Sequence, residues 1–414
     1  MKMKKAALLF ALCLTAGGVV QAQESEAELV QDAKEQFLDI VTEEVNEAGE
    51  AQDASAGQVL SEDWSDYQIQ IDGAVYEFPM TYETLTSLGW TADDQEEMTQ
   101  ELEPNQYTFV TFSKDGVKVY FDFINLAMNN LPVTECLVGG IEIDNYYWPL
   151  GNESIVLPGG ITRGEANVES ITSAYGTPTD TYEGDLYTQL TYSTDSYSYV
   201  EFSVYKESGV LEAISIRNFV APEGFDAGEA SAEVPEAVAA YVKPEALSDD
   251  PAAPQIQVDG VAYTLPVPVS VLEADGWELD ETASDPTIMA NSFGWVTLRK
   301  GGVELRTMAA NEADYATVPS NCWIESLEVG GYALNAEGVL PGGISVGMTE
   351  EDFLSVLDAA GVTYEADDDS EDYKYYTYCY EDYGRDCQVT VYTGDDDYFT
   401  PGTVIEVARS YEFE

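Results

Sequence analysis

The side chains of this chain that could do chemistry are carboxylates, thiols and phenols, because histidine is absent from all 414 residues. Without imidazole there is no His-based triad, no imidazole general base and no His metal ligand. The acids are 78 Asp and Glu against 16 Lys and Arg, a formal charge of -62. Paired carboxylates can hydrolyse glycosides only at a defined separation, and among so many acids the sequence singles out no pair. Two clusters, Asp367, Asp368, Asp369, Glu371 and Asp372, then Asp395, Asp396 and Asp397, carry the oxygen ligands that Ca²⁺ takes. Neither matches a calcium loop. The first lacks glycine at its sixth position, and the second has Phe399 where an oxygen is needed. No Gly-x-Ser-x-Gly elbow, Walker loop or Rossmann fingerprint is present. The expectation is a protein with no catalytic residue, no metal and no cofactor.

Thiols and phenols are more informative. Cys379 and Cys387 flank turn residues Asp382, Gly384 and Asp386 between two strand-like runs, a spacing that fits a cross-strand disulfide closing a hairpin. Cys136 and Cys322 sit beside apolar strand residues and read as buried thiols, with a bridge between them as the alternative. Tyrosine occurs 28 times, crowded into Tyr182–Tyr205 and Tyr373–Tyr383. Tyr199, Tyr205, Tyr376 and Tyr378 are the candidate partner-binding residues, because rigid amphipathic rings give contact area at low entropic cost. The alternative is that they form cross-strand pairs that only stabilise a sheet.

Elements must hold these side chains, and the composition allows them: 45% of residues are apolar, enough to bury a core beneath an acidic surface. Such a surface repels nucleic acid and anionic headgroups, leaving a basic protein or a surface glycan as partner. Lys2, Lys4 and Lys5, the apolar run Ala6–Ala16 and the small residues ending at Ala22 read as a signal peptide over 1–22, hence secretion, with no later segment long enough for membrane insertion. Leu29, Ala33, Phe37 and Val41 make one stripe of an amphipathic helix, and residues 23–65 are this helix and an acidic linker.

The remainder is one unit written twice. Gln68–Gly73 recurs as Gln255–Gly260, Gly89-Trp90 as Gly276-Trp277, Cys136 as Cys322, and Leu157-Pro158-Gly159-Gly160-Ile161 as Leu340-Pro341-Gly342-Gly343-Ile344. The units span 66–220 and 255–414, joined by a Pro/Ala/acid-rich linker over 221–254 across which few contacts are expected. Each unit opens with an Asp-Gly hairpin, and strands such as Val117–Phe123 and Tyr199–Tyr205 alternate apolar with polar residues. Thr349 is placed to cap a helix that Gly361 ends. The fold class is α+β: antiparallel meanders with short helices packed on one face.

Gly-Gly-Ile, a turn, a helix ending in Gly and a three-strand meander, at 155–219 and again at 338–413, resemble the beta-lactamase inhibitory protein and the related BamE (SmpA/OmlA) module. The resemblance implies a non-enzymatic module whose sheet face binds a protein. It transfers no contact residue.

Overall fold

The computed structural model describes residues 59–151, 154–331, 337–368, 370–379, 385–395 and 399–411, and everything from Leu60 onward belongs to one compact unit. The segments expected to form a signal peptide and an amphipathic helix, and most of the expected first linker, lie outside the described residues, as do Tyr380–Gly384, Asp369, Asp396 and Asp397. Among the described residues antiparallel β-sheet dominates, with five short α-helices: α1 (Tyr82–Ser87), α2 (Val168–Tyr175), α3 (Glu236–Ala239), α4 (Val269–Ala274) and α5 (Glu350–Ala360). The α+β class holds in this β-rich form. No helix among the described residues is long and apolar enough to cross a membrane.

Local sequence explains the turns. In Gln68–Ile71 and Ala74–Glu77, Ile71 faces Ala74 across Asp72-Gly73, whose φ angles are 49° and 87°. Two consecutive positive φ values match the twist of the strands, and only Gly, Asn or Asp enters that region cheaply. Asp115-Gly116 and Asp259-Gly260 repeat this conformation. Helix starts follow the same logic. Asn167 and Ser170 exchange side-chain-to-backbone hydrogen bonds at the start of α2, Thr349 accepts from the Asp352 amide at 3.2 Å before α5, and Gly361 closes α5 at φ 69°.

In the first half, the large sheet runs in the order Asp180–Glu183, Tyr187–Ser193, Ser198–Tyr205, Leu211–Asn218, Leu137–Ile143, Val117–Ile124, Tyr107–Lys114, Thr91–Ala92. Val110, Phe112, Phe121, Ile141, Ile216 and Phe202 point to one side, where Leu85 of α1 and Ile171 of α2 join them in a single core. On the other side Tyr199, Glu201, Arg217, Asp122 and Tyr120 are half-buried and Phe109 is exposed. In the second half two five-stranded sheets carry the core, one built on Ser292–Lys300 and Val303–Asn311, the other on Cys387–Tyr392 and Thr403–Ser410. Phe353 and Leu357 of α5 and Leu272 of α4 fill that core.

The stretch 221–254 does not behave as its composition suggests. Ser231 bridges Thr317, the Asn321 side chain donates to the Glu233 carbonyl at 3.0 Å, Tyr241 donates to the Thr264 carbonyl at 2.9 Å, and Val238 is buried. The first half meets it too, through the Met128 amide on the Ala227 carbonyl at 2.8 Å. The expectation of few contacts is therefore corrected. Proline and alanine keep the stretch out of a ladder, but its backbone groups still need partners and find them on both halves.

Candidate recognition face

The outer side of the first-half sheet is where alternation places its polar and aromatic residues. Strand register sets them in rows. In one, Ser193, Tyr199, Arg217, Gly140, Asp122 and Phe109 follow each other across the strands; in the next come Thr191, Glu201, Ser215, Glu142, Tyr120 and Thr111. Gly140 makes the first row possible. A Cβ there would lie 2.3 Å from the Ile216 carbonyl oxygen, so only hydrogen fits, and Arg217 reaches across the gap to Asp122 with Nε at 2.9 Å from Oδ2. The rings of Tyr107, Phe219 and Tyr199 lie 4.8, 4.9 and 5.4 Å from that guanidinium.

Beyond this clamp the face is aromatic and acidic. Phe109 packs edge-on to Tyr120 at 5.7 Å, Tyr120 to Tyr147 at 5.5 Å, and Tyr147 to Tyr146 at 4.8 Å. Phe109 is 64% and Tyr146 83% exposed. Asp144 fixes the turn that carries two of these rings, accepting from the amides of Tyr146 and Tyr147 at 2.7 and 2.8 Å. The hydrogen bond with Tyr147, then burial, push the Tyr120 phenol up to about 12. Partial desolvation, then the charges of Asp122 and Asp144, hold the Glu142 carboxyl above its ordinary range. Asp122 is raised as well, because its burial outweighs Arg217. Carboxylates crowded in this way favour any cation brought among them.

The four tyrosines expected at the partner surface divide. Tyr199 and Tyr205 lie half-buried on this outer face, Tyr199 against Arg217 and Tyr205 against Tyr187 at 5.7 Å. Tyr376 and Tyr378, each 1% exposed, belong to the second core and are corrected to interior residues. Tyr376 packs on Phe353 at 5.2 Å and gives its hydroxyl to Glu350, which also accepts from Lys374 at 3.0 Å. Their strand, Tyr373–Tyr378, has no aliphatic residue to mark which parity faces inward. Phe109, Tyr146 and Tyr147, which project here, were not singled out by the sequence, although Phe109 alternates with the apolar Val110 and Phe112 and could have been read as outward; Tyr182 and Tyr197 of the first tyrosine cluster are exposed too.

The described cysteines form no disulfide. Cys379 and Cys387 are nonetheless adjacent, both sulfurs standing 3.9 Å from the Pro251 carbonyl oxygen. Cys136 and Cys322 are buried in separate cores, where burial pushes each thiol up to about 12, so the bridge between them is excluded by position. A hollow of about 560 Å³ at the tip of the hairpin 292–311 is lined by Gly276, Glu278, Arg299, Lys300, Gly301, Gly302, Val303 and Glu304, without a hydroxyl, thiol or amide side chain among them. Among the described residues no group of three His, Cys, Asp or Glu is arranged to hold a metal. Comparison with family models, curated proteins and solved structures finds none that matches this chain.

Proposed function

We propose that this chain is a secreted, non-enzymatic binding protein made of two copies of one unit, of the kind the beta-lactamase inhibitory protein and BamE resemblance implies. Its recognition face is the outer face of the first-half sheet, and its partner is a cationic polypeptide. The duplication reading is supported by the matched order of elements around each Leu-Pro-Gly-Gly-Ile turn, where Gly159 and Gly342 have φ 65° and 76°. It is also supported by Trp90 and Trp277, which lie under Lys114 and Lys300 at 5.8 and 5.5 Å.

The observation that carries the binding reading is the ring run Phe109–Tyr120–Tyr147–Tyr146, exposed at Phe109, Tyr147 and Tyr146, with Glu142, Asp144 and Glu201 around it. A large aromatic surface left in water without cause is rare on a soluble protein. Rings with carboxylates between them take up Lys and Arg side chains, the ring faces and the acids both attracting the cation. Net charge brings such a partner in quickly, and the aromatics hold it. The test is a kinetic one, with lysine- and arginine-rich polypeptides over the immobilised protein. Raising salt should slow association more than it speeds dissociation, and Tyr147→Ala with Phe109→Ala should raise the off-rate at least tenfold. Rates indifferent to both would sink the reading.

A further inference from the structure

The large sheet of the first half ends at Asp180–Glu183, a strand whose residues are all exposed and which pairs, among the described residues, with Tyr187–Ser193 alone. The Gly184 amide donates to the Tyr187 carbonyl at 3.0 Å, so in this antiparallel register Tyr182 and Asp180 also turn their backbone groups toward the neighbour. Thr181 and Glu183 turn theirs away. Their two amides and two carbonyls line the outer edge at the spacing that an added strand would use.

Sheets commonly guard such an edge with lysine, proline or a bulge. Here the register runs over its four pairs without a shift, and neither lysine nor proline lies in the strand. Its guard is acid: Asp180 and Glu183 within the strand and Asp185 just after it, all exposed. Among the described residues Lys206 is the one cation at ion-pair distance from these three, 3.6 Å from Glu183, and that pair is itself open to solvent. A guard of one sign is selective. A second copy of the chain would bring the same acids against these across the new ladder, and an acidic segment would meet them too. An uncharged segment would gain the backbone bonds alone. A segment bearing lysine or arginine gains both the bonds and the charge pairs.

Alternation also gives every second side chain of an added strand its neighbours. Asp180 heads the row that continues through Thr191, Glu201, Ser215 and Glu142, and Tyr182, 54% exposed, shares its side of the sheet. A lysine or arginine on that side would lie beside a carboxylate and a ring together. Phe109 is six strands from this edge, about 29 Å at about 4.8 Å per strand, so a short segment at the edge does not touch the aromatic run.

We propose that the outer edge of Asp180–Glu183 takes up an extended, lysine- or arginine-bearing segment of a partner as an added strand. The proposal deepens the cationic-partner reading by naming the shape in which such a partner is held. The test uses the full chain and an eight-residue peptide of alternating lysine and threonine. Its controls are a copy N-methylated at every residue, which keeps the charge and loses the amides, and peptides with glutamate or glutamine in place of lysine. Saturating lysine peptide should slow hydrogen exchange at the Thr181 and Glu183 amides at least tenfold, and the N-methylated copy should leave it within twofold. The glutamate and glutamine peptides should need at least tenfold higher concentration for the same protection. Thr181→Pro removes an outward amide where an edge strand tolerates proline, so protection at Glu183 should need at least tenfold more lysine peptide while the melting curve is unchanged. Phe109→Ala with Tyr147→Ala should leave the protection in place. Exchange at Thr181 and Glu183 that the lysine peptide does not slow overturns the edge; peptide binding that then depends on Phe109 and Tyr147 leaves the aromatic-face reading standing. Equal protection by the N-methylated, glutamate or glutamine peptide also overturns it, as does protection that arises without peptide from a dimer seen in sedimentation velocity.

Discussion

Glu406 shows what a single side chain costs on so acidic a molecule. Burial, then the neighbouring Glu328, push its carboxyl from the ordinary 4.5 up to about 7, with Thr390 donating to it at 3.2 Å. Between those two values the folded chain keeps a proton that the unfolded chain has lost, so this pair's contribution to stability declines as pH rises from about 4.5 through 7 and is flat above. Glu406→Gln removes the titration. The variant should melt higher than the parent at pH 7.5, with the gap closing toward pH 5; thermal scans across that range check it, and a gap that grows on acidification refutes it. Residue roles were legible where an apolar neighbour marked the parity of a strand. Val200, Phe202 and Val204 put Tyr199 and Tyr205 outside, whereas Tyr373–Tyr378 offered phenols on both parities, and the Tyr376 hydroxyl can be buried because Glu350 accepts its hydrogen bond.

At the scale of elements, the clearest signals were those with a steric cause. Asp-Gly turns and the Thr349 and Gly361 helix ends sit where positive φ or an unpaired amide demands those residue types. Strand order was not legible, because pairing Leu211–Asn218 with Leu137–Ile143 depends on contacts distant in sequence. The glycines inside the strands were likewise silent until their neighbours were known. Gly140 touches the backbone of the adjoining strand, and a methyl group there would meet the Ile216 carbonyl. Gly140→Ala should force the two strands apart and destabilise the fold by about 1–3 kcal/mol, the range for overpacking a tight site. It should also loosen the Arg217–Asp122 clamp that crosses this position. Urea unfolding measures the first effect, and a change below about 0.5 kcal/mol would mean the strand shifts without strain.

For the whole molecule the question is what holds two acidic halves together. Composition put the join at 221–254 and predicted a loose one, since proline, alanine and acids carry no periodicity from which docking could be read. The contacts say otherwise: the Ala316 amide donates to Asn129 Oδ1 at 2.7 Å, the Asn130 amide to the Asp314 carbonyl at 3.0 Å, and the Ala290 amide to the Met128 carbonyl at 3.0 Å. These bonds are short-ranged, while the repulsion between halves of a chain of charge -62 acts over the Debye length, about 10 Å at 0.1 M salt and 30 Å at 0.01 M. Docking and repulsion can therefore be separated by salt. A protease that cuts after glutamate has sites at Glu223, Glu229, Glu233, Glu236 and Glu245. At 0.15 M salt cleavage there should be slow, limited by opening of the join. At 0.01 M it should accelerate several-fold, and Asn129→Ala, which deletes one acceptor at the seam, should accelerate it at both salt concentrations. Rapid cutting at 0.15 M, unchanged by salt or by Asn129→Ala, would return the join to the free linker that its composition describes.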